Sequence, residues 1–155
     1  MKNEFIKRAV DLARKNLKTG SGGPFGCVIV KNNQIIGEGW NRVIDENDPT
    51  SHAEMNAIRN ACKNLNSFQL IDCEIYTSCE PCPMCLGAIY WARPSKVYFA
   101  ANRKEAADIG FDDEYIYKEF ELPLPERQIK LEHIKSEEMD AIFEEWKQKS
   151  NKITY

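Results

Sequence analysis

Apolar residues at Phe5, Ile6, Ala9, Val10, Ala13 and Leu17 recur at helical spacing, with lysines and arginines between them. This pattern predicts an amphipathic helix over residues 2–18 whose basic residues form a solvated face. The run Gly20-Ser21-Gly22-Gly23-Pro24 breaks it. Phe25–Lys31 and Gln34–Trp40 read as two strands of a hairpin that turns on Asn32-Asn33. A polar loop from Asn41 to Pro49 leads to Thr50-Ser51, which is expected to cap a helix running to about Lys63. A third strand, Cys73–Thr77, ends at a cluster of cysteines. Pro83 suits the first turn of the next helix, and Met84–Ala92 continues it until Arg93-Pro94 stops it. Lys96–Ala100 makes a fourth strand, followed by a short helix near Lys104–Asp108.

Strands alternating with helices predict an α/β protein, a three-layer α/β/α sandwich built on a mixed sheet. Beyond Gly110 the pattern changes, because acidic and aromatic residues mix as far as Phe120 and Pro123 and Pro125 form a break. Arg127–Ile134 reads as a last strand. A terminal helix from Ser136 to about Lys149 carries Met139, Ile142, Phe143 and Trp146 on one side. No internal repeat or low-complexity segment interrupts this order, so residues 1–155 are expected to form a single domain.

Composition changes the picture mainly by exclusion. The chain is 43% hydrophobic and 29% charged, which is a globular mixture, and its net charge is −3. A protein that grips long nucleic acids carries a basic surplus to displace counterions, and this one has none. The apolar run from Met84 to Ala92 is nine residues, against roughly 20 needed to cross a bilayer. Glu4 interrupts any signal-like pattern near the start. The expectation is a soluble cytoplasmic protein with neither nucleic acid nor membrane as a partner.

The six cysteines, at 27, 62, 73, 79, 82 and 85, then fit metal binding or a reduced core better than disulfides. Cys27, Cys62 and Cys73 read as core residues, because free cysteine packs as a small hydrophobe. The chemistry lies in two strings, His52-Ala53-Glu54 and Pro81-Cys82-Pro83-Met84-Cys85. Cys82 and Cys85 share a face at the start of a helix, where the helix N-terminus favours thiolates. His52 opens the earlier helix, so two helix N-termini can converge on one ion. Two thiolates and a neutral imidazole cancel the charge of Zn²⁺ and leave a fourth position for water, an open catalytic arrangement with one zinc per chain. Zinc lowers the pKa of a bound water to about 7, giving hydroxide as nucleophile. Glu54, in the first turn, is the expected proton shuttle. If Cys79 joined the other three ligands instead, the site would be a closed structural one. Our preferred reading places Cys79 at the end of its strand, and His133 on the surface.

The two strings match the His-x-Glu … Pro-Cys-x-x-Cys signature of zinc deaminases. Further strings narrow the resemblance: Gly22-Gly23-Pro24-Phe25-Gly26, Asn47-Asp48-Pro49-Thr50, Thr77 through Arg93, Gly110-Phe111-Asp112-Asp113, Tyr115-Ile116-Tyr117-Lys118-Glu119 and a terminal Tyr155. With these the chain resembles the bacterial guanine deaminases of the cytidine-deaminase-like superfamily, from about Phe5 to its last residue. The resemblance implies hydrolysis of guanine to xanthine and ammonia by a domain-swapped homodimer. The C-terminal segment, about 121–155, would cover the partner's site. It also implies that His52, Cys82 and Cys85 hold zinc and that Glu54 moves protons. Asn41 would hydrogen-bond the purine, Phe25 and Trp91 would bound its ring, Asp113 would meet its amino edge and count with Glu54 among the catalytic residues, and Tyr155 would close the lid.

The Asp113 role has a physical basis. Guanine's Watson–Crick edge offers a ring N–H and an amino group, both donors, which suit a carboxylate. Adenine and cytosine set a bare ring nitrogen beside the amine, leaving lone pair against lone pair. Taken alone, Asp113 is one of seven acidic residues between 105 and 121 and could be a solvated loop acid. Phe25 and Trp91 could be core residues, and Asn41 could serve a turn. A tRNA adenosine deaminase shares the zinc strings but needs a basic face for RNA. Cytosine, guanosine and aminotriazine deaminases stay open as further alternatives, to be separated by pocket shape. A zinc-stabilised interaction module without catalysis is the alternative of another class.

Overall fold

The computed structural model describes residues 1–154. They divide into two compact units at Glu114/Tyr115. In the first unit, α1 (Lys2–Thr19) is followed by the hairpin strands β1 (Gly26–Lys31) and β2 (Gln34–Trp40). Then come α2 (Val43–Glu46), α3 (Ala53–Leu65), β3 (Cys73–Cys79), α4 (Pro83–Ala92), β4 (Lys96–Ala101) and α5 (Arg103–Ala107). Asn32 and Asn33 both adopt positive φ, at 51° and 60°, as the hairpin turn requires.

The strand order is β2-β1-β3-β4. β1 pairs antiparallel with β2 and β3, and β3 pairs parallel with β4, so the sheet is mixed. Alternation along β1 divides the core into two halves. Val28 and Val30 join Leu12, Tyr76 and Phe5 under α1, while Cys27 and Ile29 join Ala53, Ala57, Ala61, Ile75 and Ile89 beneath α3 and α4. These are the three expected layers. On the α1 side, Tyr76 stacks on Tyr98 with centroids 4.8 Å apart, and its hydroxyl donates to Glu74 at 2.6 Å.

The placement of α3 sets the position of the site. Ala53, Ala57 and Ala61 present a stripe of small side chains to Gly37 and Gly39 of β2. A Cβ on Gly39 would fall 2.3 Å from the Ala53 carbonyl oxygen. Beside that stripe, Asn56, Asn60 and Asn64 donate their side-chain amides to the carbonyls of Trp40, Glu38 and Ile36, at 2.9, 2.8 and 2.8 Å. Four residues of helix rise about 6 Å and two residues of strand about 6.6 Å, so the two ladders stay in step. β2 is an edge strand, and these bonds occupy carbonyls that it would otherwise present to a foreign strand.

Several expectations change. The loop from Asn41 to Pro49 contains the short helix α2. The N-cap of α3 is His52, not Thr50-Ser51, and Ser51 is instead fully buried. Asp48 orders this approach, since its Oδ1 accepts from both the backbone N–H and the hydroxyl of Thr50, at 2.8 and 2.7 Å. Glu114–Glu121 forms a helix, α6, where the sequence showed only a mixture of acidic and aromatic residues. Its first residue closes the first unit. In the second unit a turn of 3-10 helix follows at Leu124–Glu126. Arg127–Ile134 is irregular, not a strand. Its alternation supplies side chains for one face, yet among the described residues no strand within this unit offers the ladder that a strand needs. The terminal helix α7 spans Glu137–Gln148, with Ser136 capping Met139 N–H at 3.3 Å.

Candidate active site

Two helix N-termini on the same side of the sheet make the site. His52 is the N-cap of α3, and Cys82 is the N-cap of α4 with Pro83 next at N1. Both cap residues have extended backbone, which turns their side chains off the helix ends. His52 Nδ1 lies 3.5 Å from Cys82 Sγ and 3.6 Å from Cys85 Sγ. All three ligand atoms fall within 4.8 Å of one another. A tetrahedral Zn²⁺ with bonds of about 2.3 Å to sulfur and 2.0–2.1 Å to nitrogen separates N and S ligands by about 3.6 Å. The donor set therefore fits zinc in both chemistry and spacing.

The side-chain chemistry follows from this crowding. A hydrogen bond from Cys85 holds the Cys82 thiol down at about 4, while the same bond and burial push that of Cys85 up. The bond to Cys82 raises His52 above its ordinary value. Cys79, the last residue of β3, is not part of this cluster. Its thiol is buried, faces the Asn102 carbonyl at 3.8 Å, and is pushed up by burial to about 11.

Glu54 occupies the second position of α3 and is only 6% exposed. Its Oε1 accepts from the Thr77 hydroxyl at 2.7 Å. Burial raises its carboxyl above the ordinary range, the Thr77 hydrogen bond opposes that shift, and the Cys82 charge adds to it. Thus the first turn of α3 delivers an imidazole and a carboxyl group to one place although they are two residues apart.

The other residues expected to line the site stand in the segments flanking β1 and β2 and in the loop before α6. Asn16, nearly fully buried, donates to the carbonyls of Gly23 and Asn41 at 2.6 and 2.8 Å, tying the glycine-rich loop to the end of β2. Asn41 is buried, and its Oδ1 accepts from Val43 N–H at 3.2 Å. Phe25 meets Phe111 edge to face with centroids 4.9 Å apart. Gly23 lies against both rings, and a Cβ there would fall 2.8 Å from each. Phe111 belongs to the loop that carries Asp113. Burial raises the Asp113 carboxyl, the negative Cys82 adds to the rise, and Arg103 opposes it.

Trp91 lies in the last turn of α4 and is 63% exposed. It is nine residues from Cys82, about 13 Å along the helix axis. Tyr155 is outside the described residues. Sequence reasoning passed over Thr77 and Asn16. Thr77 stands in the string that ends in the cysteines, but nothing local marks a strand threonine as the partner of a helix glutamate.

Residues 1–101 match the cytidine and deoxycytidylate deaminase zinc-binding region, and the chain belongs to that family of zinc deaminases. Within it the chain is similar to the guanine deaminase of Bacillus subtilis, with 55% identity over 97% of both chains. The solved structure of a Bacillus subtilis guanine deaminase superposes with a TM-score of 0.95 at 54% identity, over 99% of this chain and 98% of that one. A guanine deaminase from Nitrosomonas europaea gives a TM-score of 0.66 at 32% identity, over 70% of this chain and 63% of that one. The tRNA-specific adenosine deaminase of Aquifex aeolicus is 34% identical over 94% of this chain and 93% of its own. No described helix is long and apolar enough to cross a membrane.

Proposed function

We propose that the chain hydrolyses guanine to xanthine and ammonia, with zinc as its cofactor. The observation that carries this reading is a buried carboxyl group, Glu54, beside a three-ligand cluster that leaves one position of a tetrahedral ion open. The likeness to guanine deaminases supplies the substrate. Zn²⁺ held by His52, Cys82 and Cys85 would act as a Lewis acid that makes a hydroxide nucleophile available near neutral pH.

The remaining steps fall to the protein's own side chains. Asp113 accepts hydrogen bonds from the ring N–H and amino group of guanine, and Asn41 presents its side-chain amide to the purine. Phe25, held by Phe111, bounds one side of the ring. Glu54 takes a proton from the attacking water and passes it to the ring nitrogen beside the carbon under attack. It then takes the proton of the hydroxyl now added to that carbon and delivers it to the departing amino group, so that ammonia leaves as the new carbonyl forms. A raised carboxyl suits this work, because the group must hold the proton between the two transfers.

Residues from about 121 to 155 serve as a lid, exchanged between the subunits of a homodimer, with Tyr155 closing over the partner's purine. The apolar stripe of α7 supports this, since Ile142, Phe143 and Trp146 are 52%, 58% and 44% exposed in the single chain. Trp91 bounds the same pocket in this reading. The setting is cytoplasmic, in keeping with six free cysteines.

The test is ammonia release from guanine, adenine, cytosine and guanosine, with zinc measured in the same sample. Turnover of guanine with one zinc per chain is expected. Editing of a tRNA anticodon loop without ammonia from guanine would overturn the substrate. One zinc per chain with no deamination of any aminated heterocycle would overturn the enzyme.

A further inference from the structure

We infer that Thr77 is the positioning residue for Glu54, acting through that carboxylate and touching neither metal nor substrate. The inference rests on the proton-shuttle role proposed for Glu54. Thr77 lies in the middle sheet layer, paired with Cys27 of β1, and is fully buried. Its side chain points to the same face as Ile75 and Cys73, the face that α3 and α4 cover. The hydroxyl has two acceptors within reach, Glu54 Oε1 at 2.7 Å and the Gly26 carbonyl at 3.4 Å. Its single proton goes to the shorter, charge-assisted contact.

Thr77 is suited to this in three ways. Its β-branched side chain is stiff about χ1, so the strand fixes where the hydroxyl stands. The donor comes from the sheet while Glu54 comes from the helix, so the carboxylate is braced against a different element from the one that carries it. The Cys85 thiol also interacts with Glu54. A thiol that ligates a metal has given up its proton. Thr77 is therefore the donor that persists when the site is loaded. With Oε1 held by Thr77, Oε2 is the oxygen that exchanges protons, and the carboxylate stays aimed through both transfers.

The experiment compares Thr77→Val, which keeps the shape and removes the hydroxyl, with Thr77→Ser, which keeps the hydroxyl. Thr77→Val is expected to lower kcat by about 10- to 100-fold with zinc content retained and KM little changed, as for a misplaced catalytic group. Thr77→Ser is expected to restore most of kcat. In a Glu54→Gln background, Thr77→Val should add almost nothing, because a residue that works through another has no effect once that other is gone. A crystal structure of metal-free Thr77→Val should show the Glu54 carboxyl rotated off its position.

A wild-type kcat in Thr77→Val, with Glu54→Gln inactive, overturns the inference and leaves the role of Glu54 standing. Normal turnover in Glu54→Gln overturns both. If Thr77→Val does not fold, the pair Thr77→Ser and Thr77→Ala carries the same test, and equal kcat in those two overturns the inference.

Discussion

Replacing Glu54 with glutamine separates what this side chain does for catalysis from what it costs the fold. The substitution keeps the volume and an oxygen for Thr77 to bond, replaces the other oxygen by an amide NH2, and removes the capacity to change protonation. Lost general acid–base catalysis is worth at least about 100-fold in kcat, which is about 2.7 kcal/mol of barrier. Stability should move the other way. Glu54 is 6% exposed, and burial raises its carboxyl above the ordinary value of 4.5 by more than the Thr77 hydrogen bond lowers it. An acid whose folded pKa exceeds its unfolded one contributes stability below the unfolded value and loses it as pH rises through the folded value. Metal-free Glu54→Gln should therefore be at least as stable as the parent at about pH 8, and its advantage should shrink toward pH 4.5. The assay is kcat from ammonia release and zinc per chain in the loaded protein, with urea unfolding of the metal-free protein at both ends of that pH range. Normal turnover with a full complement of zinc would refute the shuttle. A glutamine variant less stable than the parent at both pH values would refute the reasoning from burial.

Other consequences follow from the frame around the site. Gly39→Ala would put a Cβ 2.3 Å from the Ala53 carbonyl oxygen and 2.4 Å from Ala57 N, forcing α3 off the sheet. Overpacking of this kind costs about 1–3 kcal/mol, at roughly 2–4 °C of Tm for each, and weaker zinc retention should accompany it; an unchanged Tm would contradict the packing argument. Asp48, held below its ordinary 3.8 chiefly by the Thr50 hydroxyl, contributes stability above that value and loses it as pH falls through the lower folded one. The advantage of the parent over Asp48→Asn in urea should thus be present at neutral pH and vanish in strong acid, and a gap that persists there would count against it. To test the proposed lid exchange, a Glu54→Gln chain with an intact tail is mixed with a chain lacking Tyr155. Activity should reappear on mixing, because the intact acid then lies under an intact tail; mixtures as inactive as their components would place the lid on its own subunit.

Much of the first unit was legible because its signals are local. A polar-apolar rhythm marks α1, paired asparagines turn the hairpin with positive φ, and Pro83 and Arg93 bracket α4. The metal cluster was legible for a related reason. Each of its strings opens a helix, and a helix start projects the residues of its cap and first turn toward one place whatever lies beyond. The irregular course of Arg127–Ile134 was not legible, because alternation specifies a face and not the neighbouring strand that must pair with it.

The sequence by itself determined the chemistry: a histidine, two cysteines and an acid of the right types, set at the starts of two predicted helices. Only the tertiary structure decided how they meet. The glycine pair of β2 and the asparagine ladder of α3 fix the height and register of one helix end, and Thr77 reaches across from β3 to the carboxyl of Glu54. Those contacts join residues far apart in sequence, 22 for Asn60 with Glu38 and 23 for Thr77 with Glu54, at distances below 3 Å. Helical and strand periodicities act over a few residues, and nothing in them encodes which distant atoms the packed core will bring together.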